Sequence, residues 1–160
     1  MTLRAGEQAP DFELRDQNGV LVRLSTLLRE KPVVLFFYPR DNSPMCTREV
    51  CAFRDAHAGF AAAGAEVLGI SMDGMESHEA FSTKHALPYR ILSDGKKEVL
   101  TLYGVKTMLG FMPERVTFVI GKDGLIHHAY NALFRGAKHA EEALKALKKL
   151  TQYTGGLYGN

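Results

Sequence analysis

Apolar and polar side chains alternate in two short segments near the start of the chain, residues 11–14 and 20–24. Asn18 and Gly19 lie between the segments, and this dipeptide favours a tight turn between paired strands. The pattern therefore predicts an N-terminal β-hairpin. The next apolar run, residues 33–38, is continuous, which is typical of a strand buried on both faces of a sheet.

Strands and helices alternate along the rest of the chain. Short apolar runs predict the strands, and apolar positions three or four residues apart predict the helices. The order predicts an α/β fold in which helices flank a mixed central sheet. We interpret residues 1–160 as one domain, with a flexible Gly-rich tail at about 152–160. The predicted strands are 66–71, 89–93, 116–120 and 125–130, and the predicted helices are 44–63, 77–85, 96–103 and 139–150.

Composition limits the classes of function. The chain has 160 residues, a net charge of +2 and 24% charged residues, without the basic clustering that nucleic-acid binding requires. No apolar run is long enough to span a bilayer, and the first twelve residues lack the apolar core of a signal peptide. We therefore expect a cytoplasmic protein. In that reducing compartment, cysteine pairs are more often catalytic, redox-sensing or metal-binding than structural.

Cys46 lies where a helix is predicted to begin. Ser43 suits the N-cap and Pro44 the first helical position, which places the Cys46 thiol at the third position. A thiolate there can accept hydrogen bonds from free amides and faces the positive end of the helix dipole. Lowering a thiol pKa from about 8.5 to about 6 gains only about thirtyfold in thiolate. Catalysis would also need a cation for the leaving group, and Arg115 and Arg40 are the candidates.

Cys51 is the second and last cysteine of the chain. Residues five apart on an ideal helix have Cα atoms roughly 8 to 9 Å apart, whereas a disulfide requires at most about 7 Å. A Cys46–Cys51 bond therefore requires the first turns of the helix to unwind. Other interpretations are that Cys51 fills the core, or that both thiols bind a metal with histidines. The C-x₄-C spacing is unusual for a metal site, and His127 and His128 would face opposite ways on a strand.

Residues 36–55, FFYPRDNSPMCTREVCAFRD, resemble the active-site segment of the peroxiredoxins. The family pattern of Pro, three residues, Thr or Ser, two residues and Cys is met by Pro39, Ser43 and Cys46. The segments APDFEL, ILSD and PERVTFVIGKDG extend the resemblance along most of the chain. The resemblance is to the Q type, also called bacterioferritin-comigratory-protein-like, whose C-T-x-E-x-C-x-F-R-D continuation is met by Cys46, Thr47, Glu49, Cys51, Phe53, Arg54 and Asp55.

The resemblance implies a thioredoxin-like fold, with which the predicted order of elements is compatible. It also implies a thiol peroxidase that acts on hydrogen peroxide and organic hydroperoxides. Cys46 would be the peroxidatic cysteine, which becomes a sulfenic acid, and Cys51 the resolving cysteine, which forms a disulfide with it. Ser43 would hold the peroxide, Pro39 would shield the sulfenic acid, and Arg115 would be the active-site arginine.

The same resemblance implies thioredoxin or a similar dithiol protein as the reductant, and no metal or organic cofactor. A monomer and a homodimer are both compatible with the sequence. Position 43 is Ser where Thr is commoner in the family, and Met45 stands where a small residue is common. Met108, Leu109 and Phe111 are candidates to line a pocket for organic hydroperoxides. Two alternatives use the same cysteine pair: a thiol–disulfide oxidoreductase, and a non-enzymatic redox sensor or chaperone.

Overall fold

A computed structural model describes residues 1–108, 112–132 and 135–157, with only the backbone of residues 108, 112 and 151–157. Its strands are β1 (Glu13–Arg15), β2 (Leu21–Arg23), β3 (Val33–Phe37), β4 (Glu66–Ser71), β5 (Arg90–Ser93), β6 (Thr107–Met108), β7 (Met112–Pro113), β8 (Val116–Ile120) and β9 (Ile126–Asn131). Its helices are α1 (Leu24–Leu28), α2 (Pro44–Asp55), α3 (His57–Ala62), α4 (Met75–His85), α5 (Glu98–Leu102) and α6 (Gly136–Leu157).

Five strands form the central sheet, in the order β5-β4-β3-β8-β9. β3 pairs in parallel with β4, and β4 with β5, whereas β8 is antiparallel to both β3 and β9. β1 and β2 form a separate antiparallel hairpin. The predictions of a mixed sheet flanked by helices and of an N-terminal hairpin are therefore confirmed.

The central strand β3 separates two apolar cores. All five of its residues are buried, and alternate side chains point to opposite faces, as the continuous apolar run predicts. Val33, Leu35 and Phe37 pack in a core with the N-terminal segment, α1 and α5. Val34 and Phe36 pack in the other core with α2, α3 and α6, and the Cys46 thiol belongs to this second core.

The predicted helix at 44–63 is divided into α2 and α3, with Ala56 between them. The chain does turn away at Gly64, as predicted, in a left-handed conformation with φ +76°. Gly59 allows α6 to approach α3 closely, because a Cβ at this position would lie 3.2 Å from Leu144 Cδ2. The apolar spacing across residues 50–60 does not show this break.

Other helical boundaries also differ from the sequence prediction, and α4 (Met75–His85) and α5 (Glu98–Leu102) do so by one or two residues. Leu24, placed at the end of a strand, begins the one-turn helix α1, whose buried Leu24 and Leu28 are four residues apart. α6 begins three residues before the predicted His139 and continues to Leu157 beyond the predicted end at 150. The flexible tail at about 152–160 stays a prediction, and residues 158–160 lie outside the described part. No helix in that part has the length and apolar character required to cross a membrane.

Candidate active site

The loop that follows β3 leads directly to Cys46. Tyr38 is buried beyond the end of the strand, and its hydroxyl donates a 2.6 Å hydrogen bond to Asp41 Oδ1. Pro39 is buried between them, whereas Arg40 is exposed. Asn42 has φ 68°, a left-handed conformation that Asn tolerates better than most residues, and it turns the chain into α2.

Asp41 is part of a buried hydrogen-bond network that fixes this loop. His78 Nδ1 lies 2.7 Å from Asp41 Oδ2, and His78 Nε2 lies 3.0 Å from the carbonyl oxygen of Leu92. The backbone amide of Asp41 donates to Asp73 Oδ2 at 2.8 Å. Asp41, Asp73 and His78 bring ligand-type atoms within 4.8 Å of one another, but these atoms bond to neighbouring protein groups. The cluster therefore positions the loop that carries the cysteine.

The first turn of α2 has the cap that its sequence predicts. Ser43 is extended, with φ −72° and ψ 147°, and its Oγ accepts a 3.3 Å hydrogen bond from the Cys46 amide. Pro44 is the first helical residue, where its missing N–H costs nothing. Cys46 is fully buried at the third position. The thiol therefore lies in the first turn of α2, at the positive end of the helix dipole, a position that favours the thiolate.

Arg115 provides the cation beside the sulfur. It immediately precedes β8 and is buried, and its Nη1 donates to Cys46 Sγ at 3.2 Å and to Glu49 Oε1 at 2.8 Å. Burial alone would lower the pKa of Arg115, but Glu49 and Cys46 raise it. The guanidinium thus stays charged and bridges a sulfur and a carboxyl group, away from bulk water.

Glu49 is fully buried one turn after Cys46. Burial raises the pKa of its carboxyl group to about 8, although Arg115 opposes the shift. Among the described residues, its Oε2 atom has no hydrogen-bond partner. His139 also lies close to this carboxyl group, with its Nδ1 3.8 Å from Oε2.

His139 connects α6 to the site as a neutral ring. Its Nε2 lies 2.8 Å from the carbonyl oxygen of Ala132, which can only accept, so Nε2 carries the hydrogen. Its Nδ1 then accepts from the Thr117 hydroxyl, 2.8 Å away. Burial, together with the charge on Arg115, lowers the pKa of His139 to about 4, although the hydrogen bond to the Ala132 carbonyl opposes the shift. The ring is therefore uncharged at neutral pH.

Cys51 lies later in the same helix and is partly buried. Both thiols are free, and α2 is unbroken from Pro44 to Asp55. The peptide before Cys51 is held from outside the helix, because the Tyr89 hydroxyl donates to the Val50 carbonyl at 2.6 Å. Arg54 Nη1 donates to the carbonyl of His85 at 3.0 Å. The part of α2 that carries Cys51 is thus attached to the segment between α4 and β5.

A family model described as "AhpC/TSA family" matches residues 5–129. The chain is 46% identical over 146 residues to "Peroxiredoxin Q, chloroplastic" of Sedum lineare, an alignment covering 91% of this chain and 78% of that protein. The chain belongs to the AhpC/TSA family and is a peroxiredoxin. It is also 49% identical over 144 residues to the Arabidopsis thaliana protein of the same name, covering 89% of this chain and 66% of that protein.

Solved structures agree with this assignment. Peroxidoxin BcpB from Mycobacterium tuberculosis is 38% identical, with a TM-score of 0.88 over 92% of this chain and 98% of that one. Xanthomonas campestris Peroxiredoxin Q is 30% identical, with a TM-score of 0.82 over 92% and 98% of the two chains. The resemblance to Q-type peroxiredoxins and the thioredoxin-like fold are therefore confirmed.

The structure brings Ser43, Cys46 and Arg115 of this peroxiredoxin together and places Pro39 in the adjoining loop. Cys51 is on the same helix, and the roles of all five residues stay predictions. Arg40, the other candidate cation, is exposed, whereas the hydrogen bond to the sulfur comes from Arg115. The peroxide pocket predicted at Met108, Leu109 and Phe111 falls outside the described side chains.

The histidines considered as metal ligands are engaged with different carboxyl groups. His127 Nε2 lies 3.0 Å from Asp123 Oδ2, and His128 Nε2 lies 3.8 Å from Glu142 Oε2. The two rings therefore do not combine with the Cys46 thiol, which contacts Arg115.

The sequence analysis assigns no role in the site to Glu49, which shares Arg115 with the sulfur, or to His139, which lies beside Glu49. Glu49 had a signal, because it belongs to the C-T-x-E-x-C motif and lies three residues after Cys46, on the same side of a helix. His139 had only a weak signal, as a polar residue on a helix face otherwise formed by Ala140, Ala143 and Leu147. Its proximity to Glu49 depends on how α6 packs, which the sequence alone does not show.

Proposed function

We propose that this peroxiredoxin reduces hydrogen peroxide and organic hydroperoxides through a sulfenic acid on Cys46. The observation that carries the proposal is the 3.2 Å contact between Arg115 Nη1 and Cys46 Sγ at the amino end of α2. Helix amides and a guanidinium both stabilise negative charge, and the attacking sulfur and the departing oxygen both carry it. The site is thus suited to thiolate attack on an O–O bond.

Each remaining residue has a role in the proposed reaction. The thiolate attacks the terminal oxygen of the peroxide, forming an S–O bond as the O–O bond breaks. Ser43 Oγ already accepts from the Cys46 amide, so its hydroxyl hydrogen can be donated to the peroxide. Arg115 stabilises the oxygen that leaves, and Pro39 limits access of water to the sulfenic acid.

Cys51 completes the oxidative half of the proposed cycle. Its thiol condenses with the sulfenic acid, releasing water and forming a Cys46–Cys51 disulfide. Because α2 is intact around both cysteines, the beginning of the helix unwinds before this step. Thioredoxin or a similar dithiol protein then reduces the disulfide. A cytoplasmic location, and a monomeric or homodimeric state, remain part of the proposal.

The test is to mix the reduced protein with one equivalent of hydrogen peroxide and follow the cysteines by rapid quenching and mass spectrometry. We expect oxidation much faster than that of a free thiol at the same pH, and a Cys46–Cys51 disulfide as the product. The Cys46→Ser variant is the matched control and should not react at this rate. A wild-type reaction no faster than a free thiol would contradict the proposal.

The Cys51→Ser variant tests resolution separately. We expect its first oxidation to keep the wild-type rate, its turnover with thioredoxin and thioredoxin reductase to fall, and sulfinic acid to accumulate on Cys46. Unchanged turnover would show that Cys51 is not the resolving group. Rapid oxidation of the wild type without turnover on adding the reductant would instead favour a redox sensor.

A further inference from the structure

Glu49 and Cys46 face the same cation in a buried site. One nitrogen of Arg115 contacts both, at 2.8 Å from the carboxyl oxygen and 3.2 Å from the sulfur. If both groups were ionised, two negative charges would share one guanidinium away from bulk water, and burying the extra charge is costly. The geometry therefore favours a single negative charge on this pair, with a proton on the other group.

The contacts of each group indicate where that proton resides. The sulfur has the Arg115 guanidinium and lies at the positive end of the α2 dipole, and both favour the anion. Glu49 Oε2 has no hydrogen-bond donor among the described residues, and it faces His139 Nδ1, which already accepts from Thr117. A buried carboxylate oxygen that has no hydrogen-bond donor is costly to keep charged, so a proton on Glu49 lowers this cost.

The other groups around the carboxyl group do not supply a charge. Burial raises the pKa of Tyr89 well above its usual value, and Glu49 raises it further, so this phenol stays neutral. Burial keeps His139 neutral as well, since its pKa is lowered to about 4. Burial also raises the pKa of Glu49 itself to about 8. Arg115 is therefore the charged partner described for this pair.

We infer that Glu49 holds a proton in the reduced enzyme and gives it up when Cys46 is oxidised, so that the negative charge opposite Arg115 passes from sulfur to carboxylate. This inference rests on the proposed function. The balanced step is Cys46–S⁻ + ROOH + Glu49–COOH → Cys46–SOH + ROH + Glu49–COO⁻. An S–O bond forms and the O–O bond breaks, the sulfur is oxidised by two electrons, and the site releases one proton as the leaving oxygen takes one up.

The proton returns when the disulfide is reduced. The dithiol reductant delivers Cys46 as a thiol, and its proton moves to Glu49 as the thiolate forms beside Arg115. The nucleophile is thus restored without release of a proton to the solvent. Glu49 acts in this scheme as a proton reservoir for the cysteine.

Proton uptake during oxidation tests this inference. Reduced protein is mixed with one equivalent of hydrogen peroxide near pH 7 in weak buffer containing a pH indicator, and the disulfide formed is quantified in the same sample. The Glu49→Gln variant, which carries no exchangeable charge, should take up one proton for each disulfide. The wild type should take up about one proton fewer, because Glu49 supplies it.

Infrared difference spectroscopy of the wild type provides a second readout that does not depend on the folding of the variant. Oxidation by peroxide should remove the carbonyl stretch of a protonated carboxyl group and produce that of a carboxylate. If the wild type takes up as many protons as Glu49→Gln, or the infrared change is absent, the inference is wrong although the peroxidase stands. If peroxide does not oxidise the wild type at all, the proposed function fails and the inference fails with it.

Discussion

The two halves of α2 are held by different kinds of contact. Residues 50–55 are held by the apolar core, where Phe53 stacks on Phe36 with ring centroids 4.1 Å apart and an angle of 4°. Val50 and Phe53 are fully buried, and the Tyr89 hydroxyl bonds to the Val50 carbonyl. These contacts do not depend on the redox state of a cysteine.

Residues 44–49 are held mainly by polar and charged contacts. Ser43 caps the helix, and Arg115 bonds to Cys46 and Glu49. The start of α6 also packs against this first part of α2. A Cβ at Gly136 would lie 3.0 Å from Glu49 Cβ and 3.1 Å from the Met45 carbonyl oxygen, which shows how closely α6 approaches. Of these contacts, the hydrogen bond from Arg115 to Cys46 is strongest when the sulfur is an anion.

The difference indicates which end of the helix opens. In the proposed cycle, oxidation of the Cys46 thiolate to a neutral sulfenic acid weakens its hydrogen bond to Arg115, so the contact that holds Cys46 itself becomes weaker as the disulfide becomes necessary. Residues 50–55 keep their aromatic and Tyr89 contacts. We therefore expect Cys46 to move towards a stationary Cys51, and four predictions test this comparison.

The largest expected effect is on stability, in residues 50–55. Phe53→Ala removes a stacked, fully buried ring and should lower the free energy of unfolding by about 3 to 5 kcal/mol. Met45→Ala, which truncates a partly buried side chain in the other half, should cost less than about 1 kcal/mol. Urea denaturation measures both, and equal costs would refute the division of α2 into two differently held halves.

The second effect is on the rate of reaction with peroxide. Arg115→Ala should slow oxidation of Cys46 by at least about a hundredfold, comparable to the loss of an oxyanion donor. Arg40→Ala is the control, because this arginine is exposed in the neighbouring loop, and it should stay within about threefold of the wild type. Stopped-flow measurement of the oxidation rate distinguishes the two variants. A decrease of less than threefold in Arg115→Ala would show that this residue does not take part in the reaction.

The third effect is a loss of stability at low pH, which we expect to be located in residues 44–49. Because burial lowers the pKa of His139 to about 4, the folded state binds fewer protons than the unfolded state between that value and 6.5. The stability that the neutral His139 ring contributes is therefore fully present above pH 6.5 and is lost as the pH falls towards 4. The free-energy difference between wild type and His139→Gln should shrink by about 2 kcal/mol across this window.

Chemical denaturation at a series of pH values measures this difference, with His127→Gln as the control on a partly exposed ring. Amide exchange locates the effect, and residues 44–49 should lose protection at a higher pH than residues 50–55. A difference between wild type and His139→Gln that does not change with pH would contradict the assignment of a buried neutral ring.

The smallest effects come from a matched pair of single hydrogen bonds. Ser43→Ala removes the cap and Tyr89→Phe removes the phenolic hydroxyl, and each should cost about 1 kcal/mol of stability. Their locations should differ, with faster amide exchange in residues 44–49 for Ser43→Ala and in residues 50–55 for Tyr89→Phe. Of these two variants, only Ser43→Ala should also slow the attack on peroxide. A Ser43→Thr variant keeps the hydroxyl and should react at about the wild-type rate. The same exchange pattern in both variants would show that α2 opens as one unit.

Local signals in the sequence predict most of what positions the cysteine. Ser43 and Pro44 mark the start of α2 through short-range preferences, and the run around Phe36 marks a buried strand through composition alone. The sequence offers Arg115 and Arg40 as candidate cations, and the family resemblance selects Arg115, which 69 residues separate from Cys46. The approach of His139 to Glu49, and the break at Ala56, depend on how α6 packs across α2 and α3. Such packing is set by many side chains at once, so no local pattern reveals it.

The place of α6 in the chain has a consequence for biosynthesis. α2 leaves the ribosome well before Arg115 and Gly136, so Cys46 is exposed to the cell for a time without its cation or its cover. During that interval the sulfur lacks the hydrogen bond from Arg115 and the cover of α6. In the proposed reaction, Cys46 therefore acquires its full reactivity towards peroxide only when these later segments fold against α2.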